Sequence, residues 1–129
     1  MPEKRTLERA RKARREGKAP TTQAGEFVHE EIEHIREGKH GARSTKQAIA
    51  IGLSKARRAG VKLSPPRKGT TSARTRKQAE RDLARGKSPK GRRSPKRSRA
   101  VLRALKREGR GAASRASLSR QARSAARKR

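Results

Sequence analysis

Residues 24–63 read AGEFVHEEIEHIREGKHGARSTKQAIAIGLSKARRAGVKL, and they hold the most regular apolar pattern in the chain. Val28, Ile32 and Ile35 recur at the i, i+4, i+7 spacing that places side chains on one face of a helix, with the only Phe beside them. Gly38 then supplies a helix stop. The segment therefore predicts a first helix from about 25 to 37.

A second helix is predicted after the turn GKHGAR. Ser44 is a good N-cap and Gln47 follows three residues later, which is the capping-box pattern. Gly60 is the expected end, before two consecutive prolines forbid further helix. The second apolar stripe consists of Ile49, Leu53 and Ala56, joined by Ala48, Ile51 and Gly52. Together the two segments predict a helical hairpin over residues 24–63.

The predicted fold is all-α: a small hairpin of two helices with long, largely disordered basic arms. Residues 1–23 are interpreted as a basic, partly helical N-terminal arm, and residues 64–129 as a disordered basic tail with transient helices near 72–85 and 98–108. The reason is composition, because 28% of residues are apolar and 40% are charged. Such a chain buries too little apolar surface to offset the entropy of ordering its whole length.

The N-terminal arm contains one fair helical segment, TLERARKARREGK, with Thr6 as the expected cap and Gly17 as the stop. Its apolar residues, Leu7, Ala10 and Ala13, are too few and small to bury much, so a frayed helix is expected. Pro20 and Gly25 are expected to interrupt helix before the hairpin.

The charge of the chain predicts its partner. Forty Lys and Arg stand against eleven Asp and Glu, for a net charge of +29, and residues 64–129 alone hold twenty-four of the basic residues. Such an excess attracts polyanions, of which nucleic acid is the most abundant in a cell. A membrane partner is not expected, because the basic faces lack apolar anchors. With no Cys and no long apolar run, a cytoplasmic, nucleoid-associated protein is expected.

No catalytic, cofactor-binding or metal-binding residue is predicted. The segment HEEIEH is similar to a zinc-protease motif, but His29 and His34 are five residues apart and point about 140° away from each other around a helix. The three His, including His40, are interpreted as exposed helix and turn residues. The Ser residues lie mostly in the basic tail, which offers no scaffold for catalysis.

Two Ser-Pro steps stand out in the tail, Ser88-Pro89-Lys90 and Ser94-Pro95-Lys96-Arg97. A Ser-Pro step favours a turn that projects the following basic side chains towards phosphates. The steps resemble the Ser-Pro-Lys repeats of linker-histone tails, although a chain rich in Lys, Arg, Ser and Pro also produces such words by chance. If they are functional, phosphorylation of Ser88 and Ser94 is expected to weaken DNA binding.

The predicted function is non-enzymatic, histone-like coating of duplex DNA through phosphate contacts with low sequence specificity. Without Tyr or Trp, the chain cannot build the stacking platforms of single-strand RNA binders. Two alternatives stay open: an RNA-binding or ribosome-associated protein, and a protein-interaction hairpin localised by its tails. The candidate nucleic-acid-binding residues are Lys46, Lys55, Arg57, Arg58, Lys62, Lys90, Arg92, Arg93, Lys96, Arg97 and Arg99.

The acidic residues gather on the first predicted helix, where Glu30, Glu33 and Glu37 are expected on the solvent side. There they offset the surrounding positive charge. Together with Glu26 they are also a candidate contact for a protein partner, the simplest being the basic helix of a second copy in a homodimer.

The block REGKHGARSTKQAIAIGLSKARRAG at residues 36–60, followed by a tail rich in Lys, Arg, Ser and Ala, resembles small, strongly basic bacterial proteins of unknown function that are often labelled DNA-binding. The resemblance covers about residues 1–70. It implies a bacterial or phage source and brings no catalytic or ligand residues.

Overall fold

A computed structural model describes residues 2–87 and 94–127, and within these ranges the chain is helical without a strand. Of the residues in these two ranges, 72% are helical. The helices are α1 (Lys4–Arg15), α2 (Pro20–Arg36), α3 (Thr45–Arg58), α4 (Ala73–Lys87), α5 (Pro95–Lys106) and α6 (Arg115–Arg127), with a 3₁₀ turn at Gly111–Ala113 before α6.

The prediction of a two-helix hairpin with disordered arms is therefore wrong. The N-terminal arm forms α1, and the described parts of the tail form α4, α5 and α6. Small side chains explain part of the error: Ala10 and Ala13 are buried, and Leu7 packs against the same cluster. A helix does not need large apolar residues to dock when Ala lets it come close.

Three helices end at the glycines that the sequence indicates: Gly17, Gly38 and Gly60 all have positive φ. At each of them two backbone hydrogen bonds form the Schellman pattern. After α2, for example, Gly38 N donates to Ile35 O at 3.1 Å and Lys39 N donates to His34 O at 2.9 Å. These turns reverse the chain at defined positions.

The expected interruption before the hairpin is absent, because α2 begins at Pro20 and continues through Gly25. Proline suits the first position of a helix, where its missing N–H has no intrahelical partner. The Cβ of a larger residue at Gly25 would meet no atom within 4 Å. The glycine therefore lowers helix propensity without ending α2.

The described residues form two compact units. Unit 1 comprises residues 2–30 and 52–87, and unit 2 comprises residues 31–51 and 94–127, so α2 and α3 each contribute to both. The predicted domain boundaries after residues 23 and 63 stay predictions.

The core of unit 1 joins α1, α2 and α3 around Phe27, which is 1% exposed. This confirms that the only Phe belongs with the apolar stripe of α2, as the sequence indicated. The buried members of the cluster are Ala10, Ala24, Phe27, Ala56 and Val61, with Leu7, Leu53 and Leu63 packed against them.

The buried face of α3 is centred on the small members of the predicted stripe and not on Ile49 and Leu53. Ala48, Gly52 and Ala56, spaced four apart, are buried, whereas Ile49 and Leu53 are half-buried. Within unit 1, α2 and α3 approach closely at Gly52, where a Cβ would lie 2.6 Å from Val28 Cα. Glycine is therefore required at this position for the two backbones to approach.

In unit 2, main-chain groups attach the C-terminal segment to the turn between α2 and α3. Gly41 N donates to Leu105 O at 2.8 Å, and Ala42 N donates to Gly109 O at 3.1 Å. A Cβ at Gly41 would overlap Glu108 O. Two side chains extend the attachment, because Thr45 Oγ1 donates to Ala112 O at 2.5 Å and Arg36 Nε donates to Ala113 O at 3.2 Å.

These contacts explain why the segment is ordered although neither α5 nor α6 buries a residue. Each bond satisfies a backbone group and fixes the path of the chain without an apolar stripe. Within the two described ranges, no helix is both long and apolar enough to cross a bilayer.

Candidate nucleic-acid interface

The structure exposes some of the predicted nucleic-acid-binding residues and buries others. Exposed members are Lys46, Lys62, Lys96, Arg97 and Arg99. Lys90, Arg92 and Arg93 lie outside the described residues, as does Ser88 with the first Ser-Pro step.

Arg57 has to be removed from the interface, because its side chain is buried at 6% exposure. Its Nε donates to Leu63 O and its Nη2 donates to Ser64 O, each at 3.1 Å. Burial lowers the pKa of the guanidinium below its usual value, and the charge of Asp82 opposes that shift. Arg57 thus holds the chain that follows α3 and is not available to a phosphate.

Lys55 and Arg58 are half-buried. The side chain of Arg58 is 22% exposed, and its Nε lies 4.0 Å from Oδ1 of the buried Asp82 on α4. Asp82 also accepts from Gln78 Nε2 at 3.2 Å. Arg58 therefore links α3 to α4 within unit 1, which leaves its guanidinium less accessible to a phosphate.

The second Ser-Pro step opens α5 and does not form the predicted turn. Ser94 is the N-cap, its Oγ accepting from Arg97 N at 3.4 Å, and Pro95 occupies the first helical position. Capping serines and first-turn prolines are as typical of a helix start as of a turn. The basic residues after Pro95 consequently project from a helix.

That helix carries a continuous cationic stripe. Lys96, Arg99, Arg103 and Lys106 follow one another at spacings of three, four and three residues, and all four are exposed. Residues at these spacings share one helix face. Arg103 and Lys106 were not among the predicted candidate residues. Their helical spacing from Arg99 could have identified them, because the sequence predicted a transient helix near 98–108.

An open groove of about 780 Å³ lies in unit 2 between the first turns of α3 and α6. Both helix starts are capped by serine side chains: Ser44 Oγ accepts from Gln47 N at 3.2 Å, and Ser114 Oγ accepts from Ser117 N at 3.1 Å. The first bond confirms Ser44 as the predicted N-cap.

Three exposed cations, Arg43, Lys46 and Arg120, line this groove, with Glu108 as the acidic residue in its wall. Helix N-termini add the partial positive charge of free backbone N–H groups. Cations and helix starts together suit a bound phosphate. Sequence reasoning missed Arg43 and Arg120, because the approach of α3 and α6 comes from tertiary contacts between residues far apart in the chain.

The acidic residues are not the solvated row that was expected. Glu30 is buried and accepts from the backbone N of Glu3, and Glu31 is fully buried. Glu33 and Glu37 do reach the surface, where they pair with Arg36 at 3.5 Å and with Lys39 at 3.3 Å. Glu26 is half-buried.

The histidines also differ from expectation. His29 is exposed as predicted, but His40 is buried and His34 is mostly buried. Both of the latter contact Glu31, His40 Nε2 at 3.0 Å and His34 Nδ1 at 3.9 Å. His40 was predicted to be exposed because it lies in a turn. The chain reversal at Gly38 instead packs His40 against α2.

Comparison with known protein families gives a match over part of the chain. Residues 23–69 are similar to a family described as a family of unknown function, DUF6496. The matched range contains α3 and nearly all of α2, and leaves α5 and α6 outside. No curated protein and no solved structure matches the chain.

Proposed function

We propose that this protein binds duplex DNA without enzymatic activity, through phosphate contacts from Lys and Arg and with low sequence specificity. One observation carries the proposal: α5 and α6 bury no residue and are lined with exposed cations. The nine cations are Lys96, Arg97, Arg99, Arg103, Lys106, Arg115, Arg120, Arg123 and Arg127.

These nine side chains are not neutralised by the protein itself. Among the described residues, no carboxylate forms a salt bridge with any of them. Helices that contribute nothing to a core and expose unpaired positive charge favour a polyanionic partner. Each phosphate contact releases condensed counterions, and this release supplies affinity without reading base sequence.

The groove in unit 2 supports the proposal through the cations that line it. Arg43 and Lys46 flank the start of α3, and Arg120 reaches the groove from α6. A backbone phosphate placed there would meet guanidinium and ammonium groups together with two helix N-termini. The exposed cationic stripe of α5 belongs to the same unit and provides further contacts to phosphates of the DNA.

The test is fluorescence anisotropy with a short labelled duplex at several salt concentrations. If about ten phosphates are neutralised, log affinity is expected to fall with log salt at a slope near −9. The triple variant R43Q/K46Q/R120Q is expected to make the slope shallower by about 3. The matched control K4Q/R9Q/K12Q removes three exposed cations from α1 and is expected to lower affinity less.

Three results would count against the proposal. No binding at low salt, or a slope shallower than about −3, would overturn the phosphate mechanism. Equal losses in the two triple variants would remove the groove from the interface. Preferential displacement of the duplex by RNA of equal length would assign the protein to RNA instead.

A further inference from the structure

Three side chains able to bind a metal ion converge in unit 2 where α2 ends. Glu31 and His34 lie one turn apart on α2, and His40 follows in the turn towards α3. One ligand atom from each of the three lies within 4.8 Å of the others. The Schellman turn at Gly38 is the cause, because it reverses the chain and returns His40 to the helix.

The distances between these atoms suit a small tetrahedral ion. Zinc binds imidazole nitrogen and carboxylate oxygen at about 2.0–2.2 Å, so two ligands of a tetrahedral site lie about 3.3 Å apart. Glu31 Oε2 lies 3.0 Å from His40 Nε2, and Glu31 Oε1 lies 3.9 Å from His34 Nδ1. These two distances involve different oxygens of the Glu31 carboxylate, so a small rotation of that carboxylate would be needed to bring one oxygen close to both nitrogens.

The orientation of His40 has the form typical of a metal ligand. Its Nδ1 lies 2.8 Å from Gly41 O, and since a carbonyl oxygen only accepts, Nδ1 carries the proton. Nε2 is thereby directed at Glu31 and the centre of the cluster. Metal-binding histidines commonly donate their second ring nitrogen to a backbone carbonyl in this way, which fixes the ring and its tautomer.

Burial strengthens the electrostatic attraction at the site, and His34 is its most exposed side chain. The Glu31 side chain is 0% exposed and that of His40 is 7% exposed, so a cation between them would be weakly screened by water. His34 is 13% exposed and forms the outer side of the cluster. A water molecule beside this ring would occupy the fourth coordination position of a tetrahedral ion.

We propose that Glu31, His34 and His40 form a binding site for one Zn²⁺ ion. The protein supplies one carboxylate oxygen and two imidazole nitrogens, and water supplies the fourth ligand. The bound ion fastens the turn after α2 to the helix itself. The site uses none of the side chains assigned to the nucleic-acid interface.

The same 3.0 Å contact also fits a protonated His40 paired with Glu31 and no metal. Metal titration separates the two. Full-length protein stripped with a chelator is titrated with Zn²⁺ in a calorimeter, and with Co²⁺ while the visible absorption of tetrahedral cobalt is followed. We expect one ion per chain, a Tm that rises with zinc concentration, and an intense cobalt spectrum.

The third histidine provides the matched control. His29 lies on the same helix but is exposed and outside the cluster. H29A is expected to bind zinc like the wild type, whereas H34A and E31Q are expected to lose at least about tenfold in affinity, as loss of a ligand should cost no less than loss of a supporting group. Circular dichroism checks that each variant remains helical.

The strongly cationic surface keeps adventitious binding of divalent ions low, which makes the result easy to interpret. Absence of zinc binding at micromolar concentration would overturn the proposal and leave the His40–Glu31 pair as the explanation. Equal affinities of the wild type, H34A and E31Q, or an equal loss in H29A, would also overturn it. None of these measurements involves DNA, so they are independent of the proposed function.

Discussion

Single residues of the same type have different roles according to what surrounds them. Gly25 and Gly52 both lie inside helices, yet a Cβ at the first would meet nothing within 4 Å and a Cβ at the second would meet the backbone of Val28. Arg57 and Arg58 are neighbours, but Arg57 bonds two carbonyl groups while Arg58 approaches Asp82. Burial and contact, rather than residue type, assign each role.

The glycine pair gives a direct test at this scale. Gly25→Ala is expected to stabilise the protein by about 0.5–1 kcal/mol, because alanine has the higher helix propensity and space is available. Gly52→Ala is expected to destabilise it by about 1–3 kcal/mol, because α2 and α3 must move apart. Urea denaturation of the two variants measures both effects. A Gly52→Ala protein as stable as the wild type would contradict the close approach of α2 and α3.

At the scale of the helices, order has two different sources. α1, α2 and α3 of unit 1 share a core built around Phe27. In unit 2 the segment with α5 and α6 is attached by hydrogen bonds from Gly41, Ala42 and Thr45 to carbonyl groups. The starts of α3, α5 and α6 are stabilised separately by capping serines.

The cap of α3 can be tested alone. Ser44→Ala is expected to cost about 1 kcal/mol of stability, because Gln47 N loses its side-chain acceptor. Ser54→Ala, in the middle of the same helix, is the matched control and is expected to be neutral or stabilising by up to about 0.5 kcal/mol. Equal effects in thermal unfolding would show that the hydroxyl of Ser44 is not acting as a cap.

Sequence reasoning succeeded where side-chain patterns record the physics. The apolar spacing of Val28, Ile32 and Ile35 indicated α2, and Ser44 and Gly60 marked the ends of α3. It missed α6, whose Ala, Ser and Arg residues form no apolar stripe. It also expected only a transient helix where α5 is ordered. The attachments of this segment come chiefly from backbone groups that every residue type has, so no side-chain pattern announces them.

The sequence also predicted only part of the candidate interface. Exposed Lys96, Arg97 and Arg99 follow from composition and helical spacing. Burial of Arg57 and the groove at Arg43 and Arg120 depend on which helices meet, and long-range contacts leave no local signal in a chain where basic residues occur throughout.

Over the whole molecule, the charge of +29 coexists with an ordered helical fold. Most described cations lie on exposed faces, and most of the buried apolar positions are filled by Ala, which lets the backbones come close. Repulsion between these cations still opposes the folded state. Stability should consequently depend on ionic strength.

Raising sodium chloride from 10 mM to 100 mM shortens the screening length from about 30 Å to about 10 Å. The Tm of the protein without DNA is expected to rise over this range. Glucose at equal osmolality, which does not screen charge, is the control. A Tm that stays constant or falls with salt would mean that charge repulsion is unimportant in the folded state.

The main-chain attachment of α5 and α6 also bears on how this chain can change over generations. Amide and carbonyl groups survive most substitutions, and neither helix supplies a buried side chain. Mutations that exchange Ala, Ser, Arg or Lys along α6 should therefore be tolerated by the fold, so the composition of this region can drift while its path is inherited; replacement of Arg120 would still remove a cation from the groove.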